Sequence, residues 1–419
     1  MLIHLRKGVP VFLALDMKYN TIVLGAGPAG MMASITAASK GLRVCLLEHQ
    51  DRVGKKILST GNGKCNLTNL NISPDCFHSN SNADYFSVIS KFMPEDIIEC
   101  FKDMGLLTIS RNGYIYPRSE QASVVLDTLR NEIDRLKITV ITSVNCEIKY
   151  INNQYVISYG GQTITSDKLI LACGSKCAPK TGSDGSGYAI AKHFGHSIIK
   201  VIPALVQLIC KENFYKELQG VRADAALCVS TGQDIVVNEY GELQLTGYGI
   251  SGIPVFQISR TVKRLIDDRK NPMIHIDFAR EYTDKYLYNY LFNSVLKHEQ
   301  TEISQILSGI LNKKLANVII KECGIKPSLK CNNLSSDNIR RIVNKIKNFI
   351  VIPKDTNGFE NAQVCAGGVN IDEINLNTME SRLQKGLYFA GEILDADGKC
   401  GGYNLTWAFA SGRLAGDNQ

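Results

Sequence analysis

The sequence predicts an α/β protein in which a Rossmann-like dinucleotide-binding domain is interrupted by a second, inserted region. Three observations carry that expectation. Thr21-Ile22-Val23-Leu24 runs into Gly25-Ala26-Gly27-Pro28-Ala29-Gly30, then through small residues into Val44-Cys45-Leu46-Leu47-Glu48, which reads as strand, tight turn, helix and strand. A second glycine-rich segment follows more than three hundred residues later, Gly386-Leu387-Tyr388-Phe389-Ala390-Gly391-Glu392 with Gly401-Gly402-Tyr403-Asn404 behind it. Between them, over residues 197–355, the texture changes to short β-like runs as far as about residue 278 and then to helical patterns.

In the first segment Gly25 permits the tight turn, Gly27 lets backbone approach a pyrophosphate, and Gly30 lets helix and strand pack closely. The helix N-terminus then faces the phosphates. Glu48, ending the second strand, sits where a carboxylate accepts both ribose hydroxyls of an adenosine half and disfavours a 2′-phosphate. Residues 54–69, with three lysines, several hydroxyls and three asparagines, form a ligand loop suited to pyrophosphate and the polar edge of a flavin. Within it, Lys64 and Cys65 fall near the isoalloxazine. Cys65 has no resolving thiol at CxxC spacing, which argues against a redox disulfide there.

Downstream, helices are expected over residues 85–91, 95–104 and 121–136, and strands over 138–141, 147–151 and 155–159. Lys168-Leu169-Ile170-Leu171-Ala172-Cys173-Gly174 reads as a buried strand ending in a turn. Thr181-Gly182-Ser183-Asp184-Gly185-Ser186-Gly187 lacks the strand context of a second nucleotide fold and reads as a loop and helix cap near the flavin. Further helices are expected over 284–298, 303–323 and 337–349, and a strand at Phe349-Ile350-Val351-Ile352. The domain boundaries follow: 17–196 and 356–419 for the cofactor domain, 197–280 for a β-rich insertion, and 281–355 for its helical part.

The C-terminal segment sharpens "dinucleotide" to FAD, because such sites seldom borrow a distant element in simple NAD dehydrogenases. Phe389-Ala390-Gly391-Glu392 is a strand ending in a turn whose glycine allows close approach to a ribityl chain, and Asp395 or Asp397 supplies acceptors. Gly401-Gly402-Tyr403-Asn404 opens a helix through Thr406-Trp407-Ala408-Phe409-Ala410. A helix N-terminus aimed at a pyrimidine edge stabilises negative charge developing at flavin N1 and O2.

Composition bounds the rest. A chain of 419 residues and 46.2 kDa exceeds one typical core. Hydrophobic residues make up 44% and charged residues 21%, with no apolar run near the ~20 residues of a membrane-spanning helix. The net charge of +7 reads as spread along the chain, so DNA and membrane partners are excluded and an RNA partner is not expected. The basic stretch Arg340, Arg341, Lys345 and Lys347 reads as a solvated helix face. Thirteen cysteines without zinc spacing indicate free thiols in a reducing cytoplasm, and the histidines, His193, His196 and His275 among them, show no metal spacing. Residues 1–16 read as an upstream-start extension or disordered tail.

These motifs resemble one bacterial family, the FAD-binding flavoproteins described as BaiN-like or as the aminoacetone oxidase family. The resemblance covers about residues 17–416 and rests on GAGPAGMMAS, GKKILSTGNGKCNLTN, TGSDGSGY, LTGYGISGIPV, QVCAGGV with TMES, and GLYFAGEILDADGKCGGYNLTWAFASG. It implies a Rossmann-like FAD-binding domain of the three-layer β/β/α type, interrupted by a β-barrel-like insertion with a helical subdomain. It implies flavin contacts at Gly25, Gly27, Pro28, Ala29, Gly30, Glu48, Lys56, Ser59, Gly61, Asn62, Gly63, Lys64, Cys65 and Asn66. Ile148, Ala172, Cys173, Gly174, Gly391, Glu392, Asp395, Gly401, Gly402, Tyr403 and Asn404 complete that set. The chain departs from the family in the 61–64 loop, where a second glycine or an arginine is usual, and at Cys173, where threonine is common.

The expected activity is that of an FAD-dependent oxidoreductase exchanging hydride between flavin N5 and NAD(P)H or a small organic substrate. It is either a reductase of an activated C=C bond or an oxidase of a small amine, with NAD(P)H a transient donor. Tyr403 and Lys64 are the candidate catalytic residues. The alternative is a flavin-binding redox-sensing or RNA-associated regulatory protein. The oligomer expected is a monomer or homodimer.

Overall fold

The computed structural model describes residues 17–419, so the extension expected over residues 1–16 lies outside the described residues. The chain divides into two compact units: one takes the described residues up to Ser175 with Thr181–Ile199 and Gly367–Gln419, the other Lys176–Lys180 and Lys200–Ala366.

The first unit has a Rossmann-like α/β fold that mixes parallel and antiparallel strands. Its parallel strands run in the order Leu387–Phe389, Gln162–Leu171, Met17–Leu24, Val44–Leu47, Thr139–Ile141. The near-unbroken apolar character of 22–24 and 44–47 is what strands buried on both faces require, and Val44–Leu47 is buried throughout. Gln162–Leu171 is shared between two arrangements. Its first half pairs antiparallel with Gln154–Tyr159, which pairs in turn with Glu147–Ile151, and its second half lies between Met17–Leu24 and Leu387–Phe389.

The five parallel strands end together. Gly25 donates to the Leu47 carbonyl at 2.8 Å, Ala172 to Leu24 at 2.8 Å, Ala390 to Leu171 at 3.0 Å, and Glu48 to Ile141 at 2.9 Å. Ligands of open α/β sheets bind just outside such carboxyl ends.

Two helices stand over this edge, the fingerprint helix Pro28–Ser39 and the C-terminal helix Tyr403–Asp417. They touch at glycines. A Cβ on Gly412 would come within 2.4 Å of the Ala29 carbonyl, and one on Gly416 within 2.5 Å of the Ala33 carbonyl, so the helices run in the same direction with backbones in contact. The C-terminal helix therefore begins about nine residues, or ~13 Å at 1.5 Å per residue, before the level of Ala29. The two N-termini address different parts of an extended ligand.

The second unit is built on seven antiparallel strands ordered Phe349–Val351, Met273–Asp277, Arg222–Thr231, Asp234–Leu245, Gly249–Ser251, Leu208–Cys210, Pro353–Thr356. The first and last strands of that order are separated in the chain by Ile352 alone, so the two sheet edges meet and the sheet is barrel-like. The helix Ile253–Asp267 packs on it through Val255, Ile258, Val262 and Leu265. This helix corrects the expectation of only short β-like runs as far as residue 278. Its β-branched residues imitate a strand locally, but their three- and four-residue spacing is helical, and Pro254 sits in the first turn, where a proline is tolerated.

The helices Asp284–Lys297 and Ser336–Lys347 lie where helical periodicity places them, but the single helix expected over 303–323 is two, Ile303–Leu307 and Lys313–Glu322. Asn312 caps the second by accepting from the Lys314 amide at 3.0 Å, and an asparagine side chain bonding its own backbone is a helix start rather than a helix interior.

Candidate active site

The fingerprint turn is shaped by collisions that only hydrogen avoids. A Cβ on Gly30 would sit 1.8 Å from the Gly25 carbonyl, and one on Gly25, whose φ is +101°, would sit 2.4 Å from the Ala172 carbonyl. Gly27 is different: a Cβ there meets nothing within 4 Å. Its missing side chain serves no internal packing and leaves open backbone beside Pro28 and Ala29 at the start of the helix. Glu48 is buried, accepting from the Ala26 amide on Oε2 at 2.8 Å and from the Gln50 amide on Oε1 at 2.9 Å. A carboxylate has about four acceptor positions, so two stay available to ribose hydroxyls.

The 54–69 loop doubles back on left-handed residues, with φ of +55° at Gly61, +54° at Asn62, +83° at Gly63 and +57° at Cys65. Ser59 donates to the Lys56 carbonyl at 2.9 Å, and Lys56 forms an ion pair with Glu392 that ties this loop to the C-terminal segment. Lys64 extends to Glu120 at 2.9 Å, and Glu120 also pairs with Arg111. Burial pushes the Cys65 thiol up to about 11 and the Cys173 thiol up to about 12, so both are neutral near pH 7.

The buried Asn66 side chain leaves Oδ1 without a hydrogen-bond partner, 3.0 Å from where a Cβ on Gly402 would stand. Gly402 itself, at φ +97°, caps the C-terminal helix and presses on the Thr68 backbone, while Gly401 presses on the Tyr114 ring. Gly391 is held from the same helix: its amide donates to Ser411 Oγ at 2.9 Å and its carbonyl accepts from Trp407 Nε1 at 3.1 Å.

Several expected contacts are committed elsewhere. Asp395 accepts from Asn80 N at 2.9 Å, Asn80 Nδ2 at 2.9 Å and Ser79 Oγ at 3.3 Å, so it clamps the 79–80 loop rather than facing a ribityl chain. Asn404 holds the preceding turn through the Gly398 amide and carbonyl. Tyr403 donates its hydroxyl proton to the Asn71 carbonyl at 2.9 Å, and burial raises its pKa further. A proton so held is poorly placed for catalysis.

Ile148 lies on the strand Glu147–Ile151, buried. Cys173 Sγ donates to the Leu24 carbonyl at 3.4 Å, and Gly174 turns at φ +71° against Ser183. The 181–187 loop was expected near the flavin; Gly182 instead packs on His49 and Gln50, 3.6 Å from Glu48 Oε1 to a Cβ there. It lies at the Glu48 end of the cradle, because the turn at Gly174 carries the chain back over that strand end.

The residues fit FAD. An open glycine at a helix N-terminus, a half-satisfied buried carboxylate and an orphaned buried amide oxygen beside a second helix N-terminus match pyrophosphate, ribose and a pyrimidine edge in turn. Sequence reasoning missed Tyr114, Tyr116 and Ser411. Tyr116 Cε1 lies 3.8 Å from a Cβ placed on Gly61, and burial raises its pKa. The tyrosines occupy a Gly113-Tyr114-Ile115-Tyr116-Pro117 turn, whose alternation on the strand Tyr114–Pro117 puts both rings on one face. That period was the available signal.

Among the described residues no cluster of His, Cys, Asp and Glu is placed to hold a metal ion, and no helix is long and apolar enough to cross a membrane.

Residues 19–418 match the family model described as the HI0933-like protein Rossmann domain. The chain is 41% identical, over 94% of its length and 97% of the relative's, to a 3-dehydro-bile acid delta(4,6)-reductase of Clostridium scindens. It is 28% identical, over 94% of its length and 96% of the relative's, to a ribosomal RNA dihydrouridine synthase of Escherichia coli. Among solved structures, a 3-ketosteroid delta1-dehydrogenase from Sterolibacterium denitrificans shares the fold at a TM-score of 0.50 and 12% identity, covering 95% of this chain and 98% of that one. With a family model spanning nearly every described residue and a reductase matched along almost its whole length, this chain belongs to the HI0933-like Rossmann family of BaiN-like flavoproteins and is an FAD-dependent oxidoreductase.

Proposed function

We propose that this enzyme reduces a carbon–carbon double bond conjugated to a carbonyl group, using NAD(P)H as electron donor. The observation that carries the proposal is the 41% identity, end to end, with a reductase named for a 3-oxo, delta(4,6) substrate. The more distant relatives support the same chemistry, since forming dihydrouridine saturates the uracil double bond next to a ring carbonyl. A flavin held here and reduced by NAD(P)H would supply hydride chemistry to the conjugated double bond, the net reaction adding one hydride from the nucleotide and one proton.

The chain's own residues bind and orient for this reaction. Gly25, Gly27, Gly30 and the helix start at Pro28 and Ala29 cradle pyrophosphate, and Glu48 holds ribose. Asn66, Gly401 and Gly402 present the N-terminus of the C-terminal helix to a pyrimidine edge, where its positive end offsets negative charge. Tyr116 is the proton source assigned here, because its ring stands against the Gly61 turn of the 54–69 loop while the Tyr403 hydroxyl is committed to Asn71. Tyr116→Phe is expected to lower kcat about 100-fold, the lower range for losing a general acid. Tyr403→Phe is expected to stay within about threefold of wild type and lose roughly 1 kcal/mol of stability with its hydrogen bond. Steady-state rates and thermal melts of the two variants separate the roles.

Anaerobic mixing of holoenzyme with NADH or NADPH, followed by a 3-oxo-4-ene steroid, tests the reaction. Flavin colour is expected to bleach with the nucleotide and return on adding the conjugated ketone, but not on adding an isolated alkene. Bleaching by a small amine with peroxide release in air, and no response to the enone, would overturn the proposal.

A further inference from the structure

We propose that the sheet of the second unit carries, on its outer face, a nucleophile site in which His275 activates Ser230 to take the acyl group of small, apolar carboxylic esters. The proposal is independent of the flavin chemistry, since all of its residues lie within 200–366.

The first observation is a relay of three side chains. Along Arg222–Thr231, Ala225, Leu227 and Val229 belong to the core, so the two-residue period puts Cys228 and Ser230 on the opposite face. On the neighbouring strand Met273–Asp277, Ile274 and Ile276 turn inward and His275 outward, directly across from Cys228. His275 Nε2 lies 2.8 Å from Ser230 Oγ, and His275 Nδ1 lies 2.8 Å from Asn348 Oδ1. An amide oxygen can only accept, so Nδ1 carries the ring proton. Nε2 is thereby left as the acceptor, and the Ser230 hydroxyl donates to it. A hydroxyl bonded to an imidazole whose other nitrogen is fixed by a third group is the arrangement that activates a serine. Ser230 is only 5% exposed, which shields this bond from competing water.

The second observation is a break in the ladder at the same place. Val229 pairs with Val237 but Ser230 pairs with Ile235, so the strand Asp234–Leu245 holds one residue too many, Val236. Such a bulge leaves the extra residue outside the ladder and re-aims the side chains around it. Ile235 and Val236 are consecutive yet both exposed, at 65% and 42%. An exposed apolar pair beside a shielded hydroxyl suits a short aliphatic or aryl acyl group. The backbone amide left outside the ladder is a donor for the oxyanion formed on attack.

The step balances without a cofactor. Ser230 Oγ bonds to the ester carbonyl carbon as its proton passes to His275 Nε2. The tetrahedral intermediate expels the alcohol, which leaves with that proton. Acyl-Ser230 remains until water, deprotonated by the same nitrogen, releases the carboxylic acid.

The test mixes full-length holoprotein with p-nitrophenyl acetate, follows nitrophenolate release, and locates the acetyl group by peptide mass spectrometry. A stoichiometric burst is expected, with the acetyl group on Ser230. Ser230→Ala should remove the burst, and Cys228→Ser should leave it unchanged. His275→Gln should slow acetylation about 100-fold, the lower range for losing a general base. Asn348→Ala should slow it about tenfold, because the ring stays but loses its fixed orientation, and Asn348→Asp should restore it. All these variants should keep the wild-type flavin content. Absence of a burst from the wild-type protein would overturn the proposal. Acetyl found on Cys228, His275 or a lysine instead of Ser230 would do the same, as would an undiminished burst from Ser230→Ala.

Discussion

Gly30→Ala is expected to abolish the folded flavoprotein, while Gly27→Ala leaves the fold standing and removes the flavin. The difference is written in the space around two glycines three residues apart. At Gly30 an added Cβ lies 1.8 Å from the Gly25 carbonyl and 3.2 Å from the Ala172 side chain, so relief requires separating the fingerprint helix from its strand. A backbone clash of that kind costs about 3 kcal/mol or more, a large share of the ~5–15 kcal/mol that holds a protein folded. At Gly27 the added methyl meets nothing within 4 Å and φ is −78°, so the fold should change by no more than about 1 kcal/mol. The methyl occupies the approach path of a pyrophosphate. Thermal melts and the flavin-to-protein absorbance ratio after gel filtration give both answers. A Gly27→Ala protein that purifies with full flavin would remove the pyrophosphate from this turn.

Glu48→Ala is expected to weaken FAD retention roughly 10- to 100-fold, the cost of losing charge-assisted hydrogen bonds to ribose hydroxyls. It should also destabilise the apoprotein by about 1–3 kcal/mol, because the buried Ala26 amide loses its acceptor at 2.8 Å. Glu48→Gln separates the two effects. Its remaining carbonyl oxygen can still accept from Ala26 while its amino group faces the Gln50 amide, so the apoprotein melt should recover in part while FAD affinity stays low. Titration of FAD into apoprotein, read against the melts, checks the pair. Unchanged affinity in both variants would place the ribose elsewhere.

The fold was legible where its cause is local. The strand, turn and helix over residues 21–39 follow from an apolar run, three glycines and a proline, and the strands Glu147–Ile151 and Gln154–Tyr159 follow from alternation and β-branched residues. Ile253–Asp267 was misread because Val255, Phe256 and Ile258 suit a strand in isolation, although the spacing of Val255, Ile258, Val262 and Leu265 is helical. In the candidate site, glycines were readable because a glycine's value lies in what it omits. Polar side chains were not, since their partners are remote: Asp395 is claimed by Asn80, 315 positions away, and Tyr403 by Asn71, 332 away.

By itself, then, the sequence determined a Rossmann-like flavoprotein closed by its own C-terminal segment, because tight turns, helix starts and buried strands are each encoded within a few neighbouring residues. Only the tertiary structure decided which polar groups remain available to a ligand and that the 181–187 loop lies beside Glu48. Those outcomes depend on which distant donors reach which acceptors first, and on how the chain is cut into compact units, neither of which leaves a local periodicity to read.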